Sequence, residues 1–148
     1  MAKSYRLTPL RRLANILMRL LLRLGLAPRT TMLLTVPGRH SGTLRSTPVT
    51  LVEMDGQRWL VAPYGPVGWV RNARAAGQVE LSRGQRSEMV RVKELAPEAA
   101  APILKAYLER VPITRPYFDA ATDAPLAAFV AEAARHPVFQ VVPLTIPS

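Results

Sequence analysis

Leu44-Arg45-Ser46-Thr47-Pro48-Val49-Thr50-Leu51-Val52-Glu53-Met54-Asp55-Gly56-Gln57-Arg58-Trp59-Leu60-Val61-Ala62 reads as two β-strands and the turn between them. Asp-Gly supplies two residues that tolerate the left-handed backbone of a tight hairpin turn, and β-branched residues flank it on both sides. A two-residue connection forces antiparallel pairing. The expected strands are Leu44 to Met54, with Val49, Leu51 and Leu44 facing one way, and Gln57 to Ala62.

Working outward, Thr31 to Pro37 is a further strand, joined to the hairpin through a polar, glycine-flanked turn from Gly38 to Thr43. Downstream, Pro63-Tyr64-Gly65-Pro66-Val67-Gly68 has too much proline and glycine for regular structure. Trp69 to Ala76 is a short helix stopped by Gly77, and Gln78 to Arg83 pairs with Arg86 to Leu95 around Gly84-Gln85. Pro97 to Arg110 is helical, with Glu98 in its first turn and Lys105 and Arg110 late, as the helix dipole favours. A shorter helix spans about Ala124 to Arg135, and a last strand runs from Pro137 to Leu144. Consecutive strands with short turns and few helices favour a barrel, which leaves no unpaired edge. The fold class is α+β: one antiparallel split β-barrel domain over residues 1–148, with an N-terminal amphipathic helix and flanking helices.

That N-terminal helix is placed over residues 8–26. Thr8-Pro9 offers a capping hydroxyl followed by proline at the first helical position, and Gly25 and Pro28 stop the helix. At about 100° per residue, Arg11, Arg12, Asn15, Arg19 and Arg23 share an arc of roughly 120°. Leu10, Leu13, Leu17, Leu20, Leu21 and Leu24 lie opposite. Two readings follow: an interfacial helix on anionic lipid, or a cover for the barrel mouth with its arginines in water. Its arginines argue against a membrane span.

The chain has 148 residues and a net charge of +10, and its first carboxylate is Glu53. So one-sided a charge points to a polyanionic partner. Nucleic acid is not expected, because basic residues do not interleave with an aromatic series. Cysteine is absent, which excludes disulfides and thiolate metal sites, and His40 and His136 lack metal-ligand spacing. No cleavable signal is evident, so a cytoplasmic protein is expected, peripheral on the inner face of the membrane if the helix is interfacial.

Two stretches carry candidate chemistry. In Gly38-Arg39-His40-Ser41-Gly42-Thr43-Leu44-Arg45-Ser46-Thr47-Pro48, a turn exposes backbone N–H groups beside hydroxyls and two guanidinium forks suited to phosphate or carboxylate. In Ala62-Pro63-Tyr64-Gly65-Pro66-Val67-Gly68-Trp69-Val70-Arg71-Asn72, a strand enters an irregular loop and a helix leaves it. Backbone amides there can meet a flat heteroaromatic ring, and Trp69 can cover its edge. Each stretch alone reads equally well as structure: a solvated basic turn, and an aromatic anchor for a short helix.

Together, in order and about 30 residues apart, they resemble the deazaflavin-dependent nitroreductase family, whose Gly-Arg-x-Ser/Thr-Gly-x-x-Arg-x-x-Pro turn precedes a Trp-x-x-Asn-x-x-Ala helix. The likeness covers roughly residues 10 to 95. It implies an FMN-binding split-barrel-like fold that binds coenzyme F-420, an 8-hydroxy-5-deazaflavin with a phosphodiester and a glutamate tail. By resemblance, Arg39, His40, Ser41, Gly42 and Arg45 hold the anionic part, and Thr47 and Pro48 border the ring. Ala62, Pro63, Tyr64 and Gly65 give backbone contacts, and Trp69, Val70, Arg71 and Asn72 complete the pocket. Family members carry a basic residue where His40 stands and a lysine in the loop that here reads Pro63-Tyr64-Gly65-Pro66. The implied activity is hydride transfer from reduced F-420 to a quinone-like, nitroaromatic or other small hydrophobic acceptor, with Tyr64 as candidate proton donor. An FMN-binding relative and a non-enzymatic binder of lipid in the same groove are the competing readings. Monomer and homodimer are both open.

Overall fold

The computed structural model describes residues 9–24 and 30–144. Six strands, β1 (Thr31–Pro37), β2 (Leu44–Met54), β3 (Gln57–Val61), β4 (Gln78–Arg83), β5 (Arg86–Glu94) and β6 (Val138–Pro143), close a barrel in the order β1-β2-β3-β6-β5-β4. Every pairing is antiparallel. Met54 pairs with Gln57, and Asp55 and Gly56 both take positive φ (53° and 75°), the left-handed pair that the hairpin sequence demands.

The pleat sorts the residues into two cores. Leu34, Val36, Val49, Leu51, Leu60, Val79, Leu81, Val90, Phe139 and Val141 fill the barrel. Their neighbours Val52, Val61 and Val138 point outward. There they meet α3 (Pro97–Arg110), a 3-10 helix (Pro112–Tyr117) and α4 (Leu126–Glu132), through residues such as Leu104, Tyr107, Leu108 and Phe129. Strands buried on both faces explain why β2 and β3 show apolar runs rather than strict alternation. Leu44 departs from expectation: it is 68% exposed. It lies an odd number of residues from Val49 and Leu51, so the pleat turns it to the opposite face. The 3-10 helix was not expected either, and Thr114 and Tyr117 are buried on it.

Helix α1 (Pro9–Arg23) lies against β1, β2 and β4. The expected cap at Thr8 and the stop at Gly25 fall outside the described residues. Met18 and Leu21 rest on Leu33, while Leu10, Leu13, Ile16, Leu17, Leu20 and Leu24 remain between 52% and 77% exposed. The helix covers one barrel mouth with Arg12 in solvent, as a cover with solvated arginines would have it, but with Asn15 and Arg19 turned inward and Leu10, Leu13, Leu17, Leu20 and Leu24 turned out. Each large apolar side chain so left forgoes about 1.5–3 kcal/mol of burial. Among the described residues, no helix is long and apolar enough to cross a membrane. The opposite mouth is ringed by charge, including the Arg58–Glu88 ion pair at 2.5 Å.

Candidate active site

The β1–β2 turn is built before any ligand arrives. Gly38 N–H donates to Thr43 O (2.8 Å), Gly42 N–H donates to Gly38 O (2.8 Å), and Thr43 N–H donates to the Ser41 hydroxyl (3.2 Å). A Cβ on Gly38 would sit 2.9 Å from Ser41 Oγ and 3.3 Å from Arg45 Nε, so glycine is what lets the hydroxyl and the guanidinium close over the backbone. The turn is then fastened to α2 (Gly68–Ala76): Asn72 Oδ1 accepts both the Arg39 backbone N–H (3.0 Å) and its guanidinium NH1 (2.9 Å). One buried carboxamide thus joins residues from the two stretches.

Two cavities lie between this turn, α1 and the strand-to-helix loop. The first, about 330 Å³, is walled by Asn15, Arg19, Val36, Arg45, Ser46, Thr47, Val67, Gly68, Trp69 and Asn72. The second, about 190 Å³, is walled by Pro48, Val49, Thr50, Val61, Pro63, Tyr64, Tyr107, Val111, Ile113 and Thr114, and by Asn15, Thr47, Val67 and Trp69 again. Those four shared walls make the two cavities neighbouring ends of one groove. One end offers guanidinium, hydroxyl and carboxamide groups and the start of α2, which has no side-chain cap and no acid in its first turn. The other end mixes valine, proline and isoleucine surface with threonine hydroxyls, and phenols stand at its walls. Neither cavity has a carboxylate among its lining residues.

Of the residues expected at the site, Arg45, Thr47, Pro48, Pro63, Tyr64, Trp69 and Asn72 line the groove. Arg39, His40, Ser41 and Gly42 form the exposed turn that ends in Arg45. Ala62 and Val70 are wholly buried in the barrel core, and Arg71 is exposed and lines neither cavity. Gly65 is buried with φ 89°, and a Cβ there would meet Arg135 O at 3.3 Å. Sequence reasoning missed Asn15 and Arg19 as groove residues, though both lay in the polar arc of the helix. It also missed Val111, Ile113 and Thr114, which no signal marked. Tyr107 and Tyr117 are distant in sequence from Tyr64, yet Tyr107 shares its cavity and Tyr117 meets its ring edge-on at 4.9 Å.

Burial pushes the Tyr107 phenol well above the usual tyrosine range; Tyr64 adds to that and Thr114 opposes it, so Tyr107 stays a neutral hydrogen-bond donor. Behind the loop lies a second polar cluster. Glu132 Oε1 accepts the backbone N–H groups of Asp119 and Ala120 and a guanidinium N–H of Arg135. His136 stacks on Phe118 at 3.9 Å, with Nε2 3.1 Å from Glu132 Oε2. Desolvation holds the His136 pKa below the ordinary imidazole value, with Glu132 and the carbonyls of Pro63 and Ala62 pulling the other way and Arg135 reinforcing the depression.

The arrangement fits a long ligand with an anionic end and a flat, largely apolar end: fixed cations and hydroxyls at one end, an aromatic wall at Trp69, and space beyond it for a second flat molecule. Residues 11–133 match the F420H(2)-dependent quinone reductase family. A solved F420-H2 Dependent Reductase, FDR-A, is 27% identical, covers 76% of this chain and 94% of its own, and superposes with a TM-score of 0.52. A chain solved as a domain-swapped dimer is 22% identical over 90% of this chain and 99% of its own, with a TM-score of 0.55. A nimc/nima family protein from Clostridium acetobutylicum shares the fold at 13% identity over 76% and 73% of the two chains, TM-score 0.51. No curated protein matches.

Proposed function

The chain belongs to the F420H(2)-dependent quinone reductase family, and from that premise we propose that it reduces a quinone-like, hydrophobic acceptor in the phenol-lined end of the groove. It is an F-420-dependent oxidoreductase of the split-barrel fold. The observation that carries the acceptor assignment is the shared wall: Asn15, Thr47, Val67 and Trp69 border both cavities, so a ring held at that wall faces the phenol-lined end directly.

Arg45, with the hydroxyls of Ser46 and Thr47, holds the phosphodiester and tail, and Asn72 acts by fixing the Arg39 turn rather than by touching ligand. Bound reduced F-420 supplies two electrons as a hydride from C5 of its ring. Trp69, Thr47 and Pro48 set the plane against which an acceptor stacks, and stacking in near-attack geometry is where most of the rate advantage arises. Val61, Val111 and Ile113 give that end its apolar surface. A quinone that accepts a hydride needs one proton to become the hydroquinone, and the Tyr64 hydroxyl delivers it while Tyr107, held neutral, orients the carbonyl.

The exposed leucine face of α1 belongs to the same reading. Nine basic residues and no acid precede Val52, so this part of the chain complements an anionic bilayer. A helix seated there holds the groove beside the phase in which a long-tailed quinone resides. Anaerobic mixing of the protein with reduced F-420 and a naphthoquinone tests the assignment by the return of oxidised-deazaflavin absorbance. Turnover well above that with a nitroimidazole is expected. Equal or faster reduction of the nitroimidazole would assign the phenol-lined end to a different acceptor.

A further inference from the structure

We infer that Arg19, on the N-terminal helix, is a ligand for the anionic part of F-420, making α1 one wall of the coenzyme site rather than a cover laid over it. This rests on the reading of the groove given above and adds a residue from outside both sequence motifs. Arg19 lines the cavity that holds Arg45, Ser46, Thr47 and Asn72. Its Nε is shielded from solvent and has no hydrogen-bond partner in the protein. A buried donor on a cation is costly to leave unmade, and an anion between Arg19 and Arg45 would satisfy it. One turn earlier, Asn15 borders both cavities, so the same face of the helix follows the groove along its length. The helix keeps Asn15 and Arg19 inward while Leu10, Leu13, Leu17, Leu20 and Leu24 stay largely in solvent, an orientation that apolar packing alone would reverse. The loop Pro63-Tyr64-Gly65 contributes no cation, so charge for a polyanionic tail has to come from the turn and from α1.

The test uses the full chain and two probes: F-420, and the tail-less 8-hydroxy-5-deazariboflavin, each titrated by fluorescence. Arg19→Gln is expected to weaken F-420 binding about tenfold or more, the size of a lost charge-assisted hydrogen bond, and to leave the tail-less probe within about twofold. Arg19→Lys should retain much of the affinity, and Arg12→Gln, which removes an exposed charge from the same helix, should change it less than about twofold. Arg19→Gln binding F-420 as the parent does, while Arg45→Gln binds weakly, would overturn the role of Arg19 and leave the groove assignment standing. An equal loss for both probes would overturn the tail contact. A parent chain that fails to bind F-420 would overturn both. If Arg19→Gln does not fold, amide exchange over residues 9–24 in the parent decides: slowing on addition of F-420 supports the inference, and no change overturns it.

Discussion

At the scale of single residues, the polar groups that shape the β1–β2 turn are engaged with the protein before any ligand arrives. Asn72 is the clearest case, since its carboxamide oxygen takes two N–H groups of Arg39 and so holds the turn against α2. Asn72→Ala should lower the unfolding free energy by about 1–3 kcal/mol in urea, because the Arg39 N–H loses its acceptor. Asn72→Asp should recover most of that stability and still bind F-420 poorly, since it sets a carboxylate on the wall of the anion end. His136 gives a prediction of a different kind. Burial depresses its folded pKa below the ordinary 6.5, so the unfolded chain takes up the proton at higher pH. Stability should be level above about pH 7.5 and should fall as pH drops through 6.5 toward the lower folded pKa. Thermal midpoints measured against pH check this. In His136→Gln the decline over that window should be absent.

At the scale of elements, α1 and the 3-10 helix decide what reaches the groove. Leu13 and Leu17 face solvent, so replacing both with glutamine should leave the thermal midpoint nearly unchanged and abolish co-sedimentation with anionic phospholipid vesicles. Loss of folding would show the face to be part of the core. Ile113, 78% exposed yet on the acceptor wall, should raise the KM for a naphthoquinone several-fold when changed to serine, with F-420 affinity retained. The strands were legible in the sequence because Asp55-Gly56, Gly84 and the β-branched runs are local signals, and their boundaries agree with the barrel to within a residue or so. The turn from Gly38 was legible for the same reason. The orientation of α1 was not, because periodicity gives two faces and says nothing of which one the protein needs. Nor was the acceptor wall, since Tyr64, Tyr107 and Thr114 are brought together only by packing α3 and the 3-10 helix on the outer side of the barrel.

At the scale of the whole molecule, the two mouths of the barrel are chemically distinct. One is roofed by α1 and holds a groove without carboxylates. The other is ringed by Glu53, Arg58, Arg83, Arg86 and Glu88, acids and bases together around a space of about 850 Å³. Size alone would favour the second for a bulky coenzyme; charge and shape favour the first, because a polyanionic tail meets Arg45 and Arg19 there and no acid, and a flat ring meets Trp69. The central claim is therefore one of position, and a crystal structure of the chain with F-420 tests it most directly. The account predicts the phosphodiester within hydrogen-bonding reach of Arg45 and the ring against Trp69 and Thr47, its C5 open toward Tyr64. F-420 bound in the mouth beside Arg58 and Arg83, with the groove under α1 empty, would contradict it.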